Sequence, residues 1–198
     1  MITSLSQLNL DAHYTYADYI IWTFQERVEL LKGKIFPMAA PSVKHQRVSG
    51  YLHILIGTYL KGHRCDVFSA PFDVRLPLPA SRAKDNKIDT VVQPDLCVVR
   101  DQSKLDEKGC IGAPELVVEI LSLGNSKKEM KAKFELYENA GVLEYWVIDP
   151  EHNLAFCYYL DEKTQKYIPS LAFTDDDTIE SKVLEGLMLN LEELFKNK

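Results

Sequence analysis

The stretch GAPELVVEIL, residues 112 to 121, predicts a β-strand, with Gly112 and Pro114 at its entrance and a run of Val, Ile and Leu behind them. Two glutamates interrupt it. Alternate positions along a strand face the same way, so Glu115 and Glu119 share a side with Val117 and Leu121. Glu115 opens the strand, where exposure is cheap. Glu119 lies deeper, where a carboxylate needs a cation, a set of donors or a proton to offset its desolvation. A buried salt bridge would supply that, and so would a metal ion.

Working outward, PDLCVVR (94 to 100) is a second strand, opened by a proline as sheets accept at a first residue. Asp95 stands at its start, where a carboxylate after proline is also ordinary turn chemistry. If the two strands are neighbours, Asp95 and Glu119 converge. Two carboxylates held together at neutral pH invite a divalent cation, with hard Mg2+ the natural occupant.

The remaining elements follow from periodicity and punctuation. Residues 14 to 25 predict a short helix, and VELLKGKIFPM (28 to 38) predicts two strands about a turn at Lys32 and Gly33. From Ser42 to Gly62 the pattern is helical, with Ser42 as N-cap and His45, Val48, Leu52, Leu55 and Tyr59 as one stripe. CDVFSAPFDVRLPL (65 to 78) supplies one or two strands, and residues 79 to 90 form a polar loop expected to move. In SKKEMKAKFELYENAG (126 to 141), Ser126 and Glu129 match a capping box, Met130, Phe134 and Tyr137 form an apolar stripe, and Gly141 suits the C-terminal cap. VLEYWVIDP (142 to 150) and LAFCYYL (154 to 160) predict a hairpin. The order implies an α/β core with a central mixed β-sheet flanked by helices, and extra strands at both ends.

At 198 residues with 46% hydrophobic and 26% charged content, one domain is expected, its core about 14 to 160 and residues 161 to 198 an acidic extension. That extension carries nine acidic and five basic residues, so most of the formal charge of -6 resides there. Such a balance argues against a generic nucleic-acid coat protein. Locally, Lys44 and Arg47 form one basic cluster and Lys127, Lys128, Lys131 and Lys133 another, each also readable as a solvated helix face. Cys65, Cys97, Cys110 and Cys157 are scattered without a CxxC pair, which suits core residues better than zinc or disulfides. No stretch approaches the roughly 20 apolar residues that span a bilayer, so a cytoplasmic protein with no membrane partner is expected.

Pro94-Asp95 followed by Glu119 resembles the PD-(D/E)xK nuclease pattern, a short motif that is weak alone. A longer likeness is more specific. VELLKGKIFPM, PSVKHQRVSGYL, VFSAPFDVRLPL, TVVQPDLCVVRD, KLDEKGCIGAPELVVEILS and KFELYENAGVLEYWVIDP together resemble the bacterial Uma-two family, whose members are described as putative endonucleases and were once grouped as a domain of unknown function.

The resemblance implies a restriction-endonuclease-like core that hydrolyses phosphodiester bonds in DNA with Mg2+, or Mn2+ as substitute. It implies Asp95, Glu119 and the Ile120 backbone carbonyl as metal ligands. The usual lysine lies two residues after the second acid, where this chain has Leu121. The family's lysine position on the next helix matches Lys133, completing a catalytic set of Asp95, Glu119 and Lys133. From spacing alone, Glu129 and Lys133 at i, i+4 could equally form a surface ion pair. Glu29 and His45 match a further family acid and histidine; the one also reads as an exposed hairpin carboxylate, the other as a core histidine. Asp73 is a weaker candidate. Lys127, Lys128 and Lys131 stand where a helix N-terminus would receive a nucleic-acid backbone. Cutting both strands of a duplex generally needs two sites, which implies a homodimer.

Two departures matter. The family often reads Ser-Pro-Ser-Thr after its glutamate and places an aspartate four residues before its lysine, whereas this chain has Ser122-Leu123-Gly124-Asn125 and Glu129. These put the loop geometry in doubt more than the acids. Leu121 and the acidic balance also leave open a nuclease-fold protein that binds nucleic acid or a partner without cutting, and beyond that a purely structural domain.

Overall fold

Lys32 and Gly33, both at positive φ (52° and 77°), turn the chain between its first two strands, β1 (Val28–Leu31) and β2 (Lys34–Pro37). They are preceded by a single helical turn, α1 (Tyr16–Tyr19), capped by Thr15 and Asp18. The helix expected over residues 14 to 25 is limited to this turn. The rest of the segment is fixed by ring contacts instead, Trp22 lying against Tyr14, Tyr19 and Phe24. Aromatic and β-branched residues gain more from that packing than from continuing a helix for which their propensity is low.

The structure is a computed structural model and describes residues 2–77, 88–122 and 127–196, the side chain of Lys128 excepted. The long helix is α2 (Val43–Tyr59), with Ser42 Oγ accepting from the His45 backbone N–H. Its buried stripe is His45, Val48, Leu52 and Ile56, so Ile56 takes the deep position that spacing assigned to Leu55. There follow β3 (Asp66–Ser69), β4 (Val74–Arg75), β5 (Val91–Val92), β6 (Leu96–Val99), β7 (Leu105–Asp106), β8 (Gly109–Ile111) and β9 (Leu116–Ile120). The second long helix is α3 (Lys127–Ala140), closed by Gly141 at φ 85°. After it come β10 (Glu144–Asp149), β11 (Leu154–Leu160), β12 (Tyr167–Pro169), β13 (Thr178–Glu180), β14 (Met188–Asn190) and α4 (Leu191–Lys196). Most of the expected polar loop at 79 to 90 lies outside the described residues, as does Ser126 of the expected capping box.

The expected central sheet is in fact two. One six-stranded sheet runs β2-β1-β5-β4-β8-β7 and the other β12-β11-β10-β9-β6-β3, with β13 and β14 as a separate hairpin. Both are mixed: β4 and β8 pair parallel in the first, β9 and β10 in the second, and the other ladders are antiparallel. The sequence hides the division because β4 and β5 contain only two residues each, too few to carry a periodic signal.

The two-residue alternation sorts the second sheet's faces. Leu96, Val98, Leu116, Val118, Ile120, Trp146 and Ile148 pack with Val48, Leu52 and Ile56 of α2 and with Leu191, Leu194 and Phe195 of α4. Cys97, Val99, Val117, Tyr145 and Val147 face the other way, toward Leu136 and Tyr137 of α3 and toward Leu31, Val74, Val92 and Cys110 of the first sheet. That second interface also carries charge. Glu29 alternates onto the same side of β1 as Leu31, and Glu119 onto the same side of β9 as Val117. The fold brings two carboxylates face to face between its sheets, with α3 beside them.

Candidate active site

β6 and β9 are hydrogen-bonded neighbours in antiparallel register, with Leu96 opposite Val118 and Cys97 opposite Val117. One step further along this register, Asp95 stands across from Glu119. The Ile120 backbone N–H donates to Asp95 Oδ2 at 2.7 Å, fastening the first carboxylate to the strand that bears the second. The other Asp95 oxygen, Oδ1, lies 3.1 Å from His45 Nε2 on the first turn of α2.

Lys133 occupies the gap between the sheets. Its ammonium donates to Glu119 Oε1 and Oε2 at 2.9 and 3.1 Å and to Glu29 Oε1 at 3.1 Å. With 7% exposure it is not a surface lysine, and its charge is spent inward rather than across one turn of helix. Glu29 is 1% exposed, so it is not a loose hairpin acid either; Oε1 also accepts from the Gln93 backbone N–H at 2.8 Å. Tyr137, one helical turn beyond Lys133, donates from its hydroxyl to Glu119 Oε1 at 2.5 Å.

Asp95, Glu119, Ile120, Glu29, His45 and Lys133 all line one cavity of about 510 Å³. Its walls hold four carboxylates (Glu29, Asp95, Glu119, Glu129) and two permanent cations (Arg27, Lys133). Electrostatics follow from that imbalance. Burial pushes the Glu119 carboxyl up to about 7, and the charges of Asp95 and Glu29 add to the rise, while Lys133 and the Tyr137 hydroxyl oppose it. Burial alone would pull Lys133 down, but Glu119 and Glu29 outweigh it and hold the ammonium charged above its ordinary range. Burial and the adjoining Glu119 raise Tyr137 well above the usual phenol range, so it stays a donor.

Asp95, Glu119 and the Ile120 carbonyl are the groups that could hold a hard divalent cation. Two carboxylates face each other in register, and the charge of Asp95 adds to the cost of ionising Glu119, a conflict that a cation between them would relieve. In an antiparallel ladder the N–H and C=O of one residue point to the same neighbour, so the Ile120 carbonyl is directed to the Asp95 side of β9. His45 Nδ1 is buried and, among the described residues, without a hydrogen-bond partner. A polar atom left so in a charged cavity suits an occupant that is itself polar.

The other sequence candidates stand apart. Lys127 and Lys131 are exposed and do not line the cavity, Lys131 lying 3.8 Å from Glu135; the Lys128 side chain lies outside the described atoms. Asp73 accepts from Tyr19 Oη and Gln93 Nε2 at 3.1 and 2.9 Å, one shell behind Glu29, and burial raises its pKa. Sequence reasoning passed over Tyr137, Gln93 and Arg27. Only Tyr137 gave a signal, a hydroxyl in an apolar stripe four residues after the buried lysine.

A sequence model of the Uma2 family, described as "Putative restriction endonuclease", matches residues 16–192. The chain belongs to the Uma2 family. That match contains every residue named at the cavity, from Arg27 to Lys133, and Tyr137 behind it. A curated relative, an uncharacterized protein of Synechocystis sp., is 26% identical over 139 residues, covering 69% of this chain and 71% of the relative. The Uma2 fold itself is similar to the crystal structure of a protein from Anabaena variabilis described as a putative nuclease of the DUF820 group. The TM-score is 0.72 at 20% identity, covering 92% of this chain and 98% of the other. The restriction-endonuclease-like architecture implied by the sequence is therefore present, as paired mixed sheets flanked by helices. Among the described residues no helix is long and apolar enough to cross a membrane.

Proposed function

We propose that this Uma2 chain is a divalent-metal-dependent endonuclease that hydrolyses phosphodiester bonds in DNA. The carrying observation is the facing of Asp95 and Glu119 across β6 and β9, with the Lys133 ammonium on the Glu119 carboxylate. Asp95, Glu119 and the Ile120 carbonyl would hold Mg2+, or Mn2+ in its place. When bound, such an ion polarises a phosphate and lowers the pKa of a water.

The protein's own part is positioning and charge. Lys133 orients the Glu119 carboxylate and favours its ionised form, and its charge would favour negative charge that develops at the phosphate. Glu29 fixes the lysine from the opposite sheet. His45 orients Asp95 and offers Nδ1 as an acceptor for a water. Lys127 and Lys131, at the start of α3, would receive the phosphate backbone outside the cavity. A duplex cut on both strands would need two such chains.

The test is cleavage of supercoiled, linear and single-stranded DNA in Mg2+ and in Mn2+, beside calorimetric titration with Mg2+ alone. The wild type is expected to cut and to bind the ion. Asp95→Asn and Glu119→Gln are expected to lose both, and Lys133→Met to lose cutting. A wild type that binds DNA in either metal without cutting it would instead support a binding protein built on the nuclease fold. Absence of both cutting and ion binding would end the catalytic reading.

A further inference from the structure

Lys133 is the cavity's catalytic cation by position, yet its ammonium is already shared between Glu29 and Glu119. The other permanent cation in the wall is Arg27, at the entrance to β1. Its surroundings are unlike those of Lys133. Its Nε and Nη2 donate at 3.1 and 2.8 Å to one neutral acceptor, Gln93 Oε1, and among the described residues it forms no ion pair with a carboxylate. Two of its five N–H groups are used, which leaves three donors on a half-buried guanidinium beside the cavity.

The bracket that holds it is built with some depth. Gln93 is 8% exposed, and its amide donates to Asp73 Oδ1 at 2.9 Å and to Tyr19 Oη at 3.1 Å, while Tyr19 donates to the same Asp73 oxygen at 3.1 Å. These bonds fix which end of the amide faces Arg27: the NH2 is committed to Asp73, so the carbonyl is turned to the guanidinium. A neutral acceptor aims the guanidinium without a direct ion pair, and the charge reaches the Asp73 carboxylate only from beyond Gln93. A carboxylate in the same place would have neutralised it.

We infer that Arg27 is the cavity's phosphate-binding residue, receiving a non-bridging phosphate oxygen of the nucleic-acid strand while Lys133 serves the carboxylates. The inference rests on the nuclease reading above and adds to it a division of labour between two cations. A planar guanidinium with free donors matches phosphate geometry, whereas an ammonium held by two carboxylates has little left to offer it. Arg27 adds a positive charge to the cavity wall from the sheet opposite Asp95 and Glu119.

The experiment is the binding of a short fluorescein-labelled DNA oligonucleotide, followed by anisotropy over a range of salt in Ca2+, with Mg2+ calorimetry and thermal melting alongside. Arg27→Met is expected to weaken oligonucleotide binding by about 10- to 100-fold and to lower the salt slope by about one. Arg27→Lys is expected to retain the salt slope but recover only part of the affinity, and in both variants Mg2+ binding and melting stay as in the wild type. In turnover the loss should fall on KM at least as heavily as on kcat. Unchanged affinity and salt slope in Arg27→Met, with the wild type binding and cutting normally, would overturn the assignment and leave the nuclease reading standing. A fall in Mg2+ binding and melting temperature in both variants would make Arg27 a structural brace and overturn it as well. A wild type that neither binds nor cuts DNA would remove the nuclease reading, and this inference with it.

Discussion

Tyr137 donates to Glu119 over 2.5 Å from one helical turn beyond Lys133, so two successive inward positions of α3 grip the same carboxylate. The hydroxyl favours the charged form of Glu119, against its burial. Tyr137→Phe keeps the ring among Leu136, Val142 and Tyr145 and removes only the donor. Groups that orient a metal-ligating carboxylate typically affect affinity or activity by about 10- to 100-fold, and a loss in that range is expected here. Because the lost bond lowered the Glu119 pKa, the acid limb of the pH–rate profile should move to higher pH. An unshifted limb would mean that the phenol only fills space.

Metal binding should carry its own pH signature. Glu119, raised to about 7 chiefly by burial, is partly protonated near neutral pH, and a divalent cation must displace that proton. Mg2+ affinity is expected to fall as pH drops through about 7 and to level off above it. Calorimetry in two buffers of different ionisation enthalpy would count the released proton. The same shift bears on the stability of the metal-free protein. A carboxyl whose folded pKa lies above its unfolded value of 4.5 contributes most below 4.5, and that contribution is lost as pH rises through 7. Mg2+ should therefore stabilise the protein more at pH 8 than at pH 5.

How much of this was written in the chain can be judged residue by residue. Glu119 was legible because a charge inside an apolar run violates its pattern, whereas Asp95, opening its strand after a proline, gained meaning only if the two strands were neighbours. Lys133 was legible only through family likeness, since helical spacing offered Glu129 as an equally good partner. Gln93, Arg27 and Tyr19 were not legible. Their contacts with one another join residues 66 or more positions apart through side-chain amide and phenol groups, and no local period records such a meeting. The two-sheet division was hidden likewise, because β4 and β5 are short and Glu29 reads as polar from either side of a hairpin.

Lys133 is expected to matter for stability as well as for turnover. Lys133→Met keeps most of the stem's packing but leaves Glu29 and Glu119 buried without a cation. Breaking a buried pair in this way costs about 3–5 kcal/mol at neutral pH. Two conditions should restore part of the loss: a pH low enough to protonate one carboxylate, and a saturating divalent cation. Denaturant melts with and without Mg2+ at pH 5 and pH 8 would measure both. A variant as stable as the wild type at pH 8 without metal would show that the carboxylates protonate at little cost.

Glu144 presents the opposite case, a buried carboxylate with no part in the cavity. It is fully buried at the start of β10, where Oε1 accepts from Trp146 Nε1 at 2.7 Å. Its Oε2 accepts from the Ser181 hydroxyl and from the backbone N–H groups of Lys182 and Val183, at 2.8, 3.0 and 2.9 Å. Four donors converge on one side chain, which ties the C-terminal segment across the second sheet. That segment then delivers Leu184, Leu187, Leu189 and the α4 residues to the core shared with α2. Glu144→Gln cannot satisfy all four donors, because its NH2 must face either the indole or the turn at 181–183. A loss of about 1–3 kcal/mol is expected, with faster hydrogen exchange at the Lys182 and Val183 amides and through α4. Mg2+ affinity should stay as in the wild type. Loss of ion binding in a folded Glu144→Gln protein would show that the C-terminal segment, through α2 and His45, sets the position of Asp95.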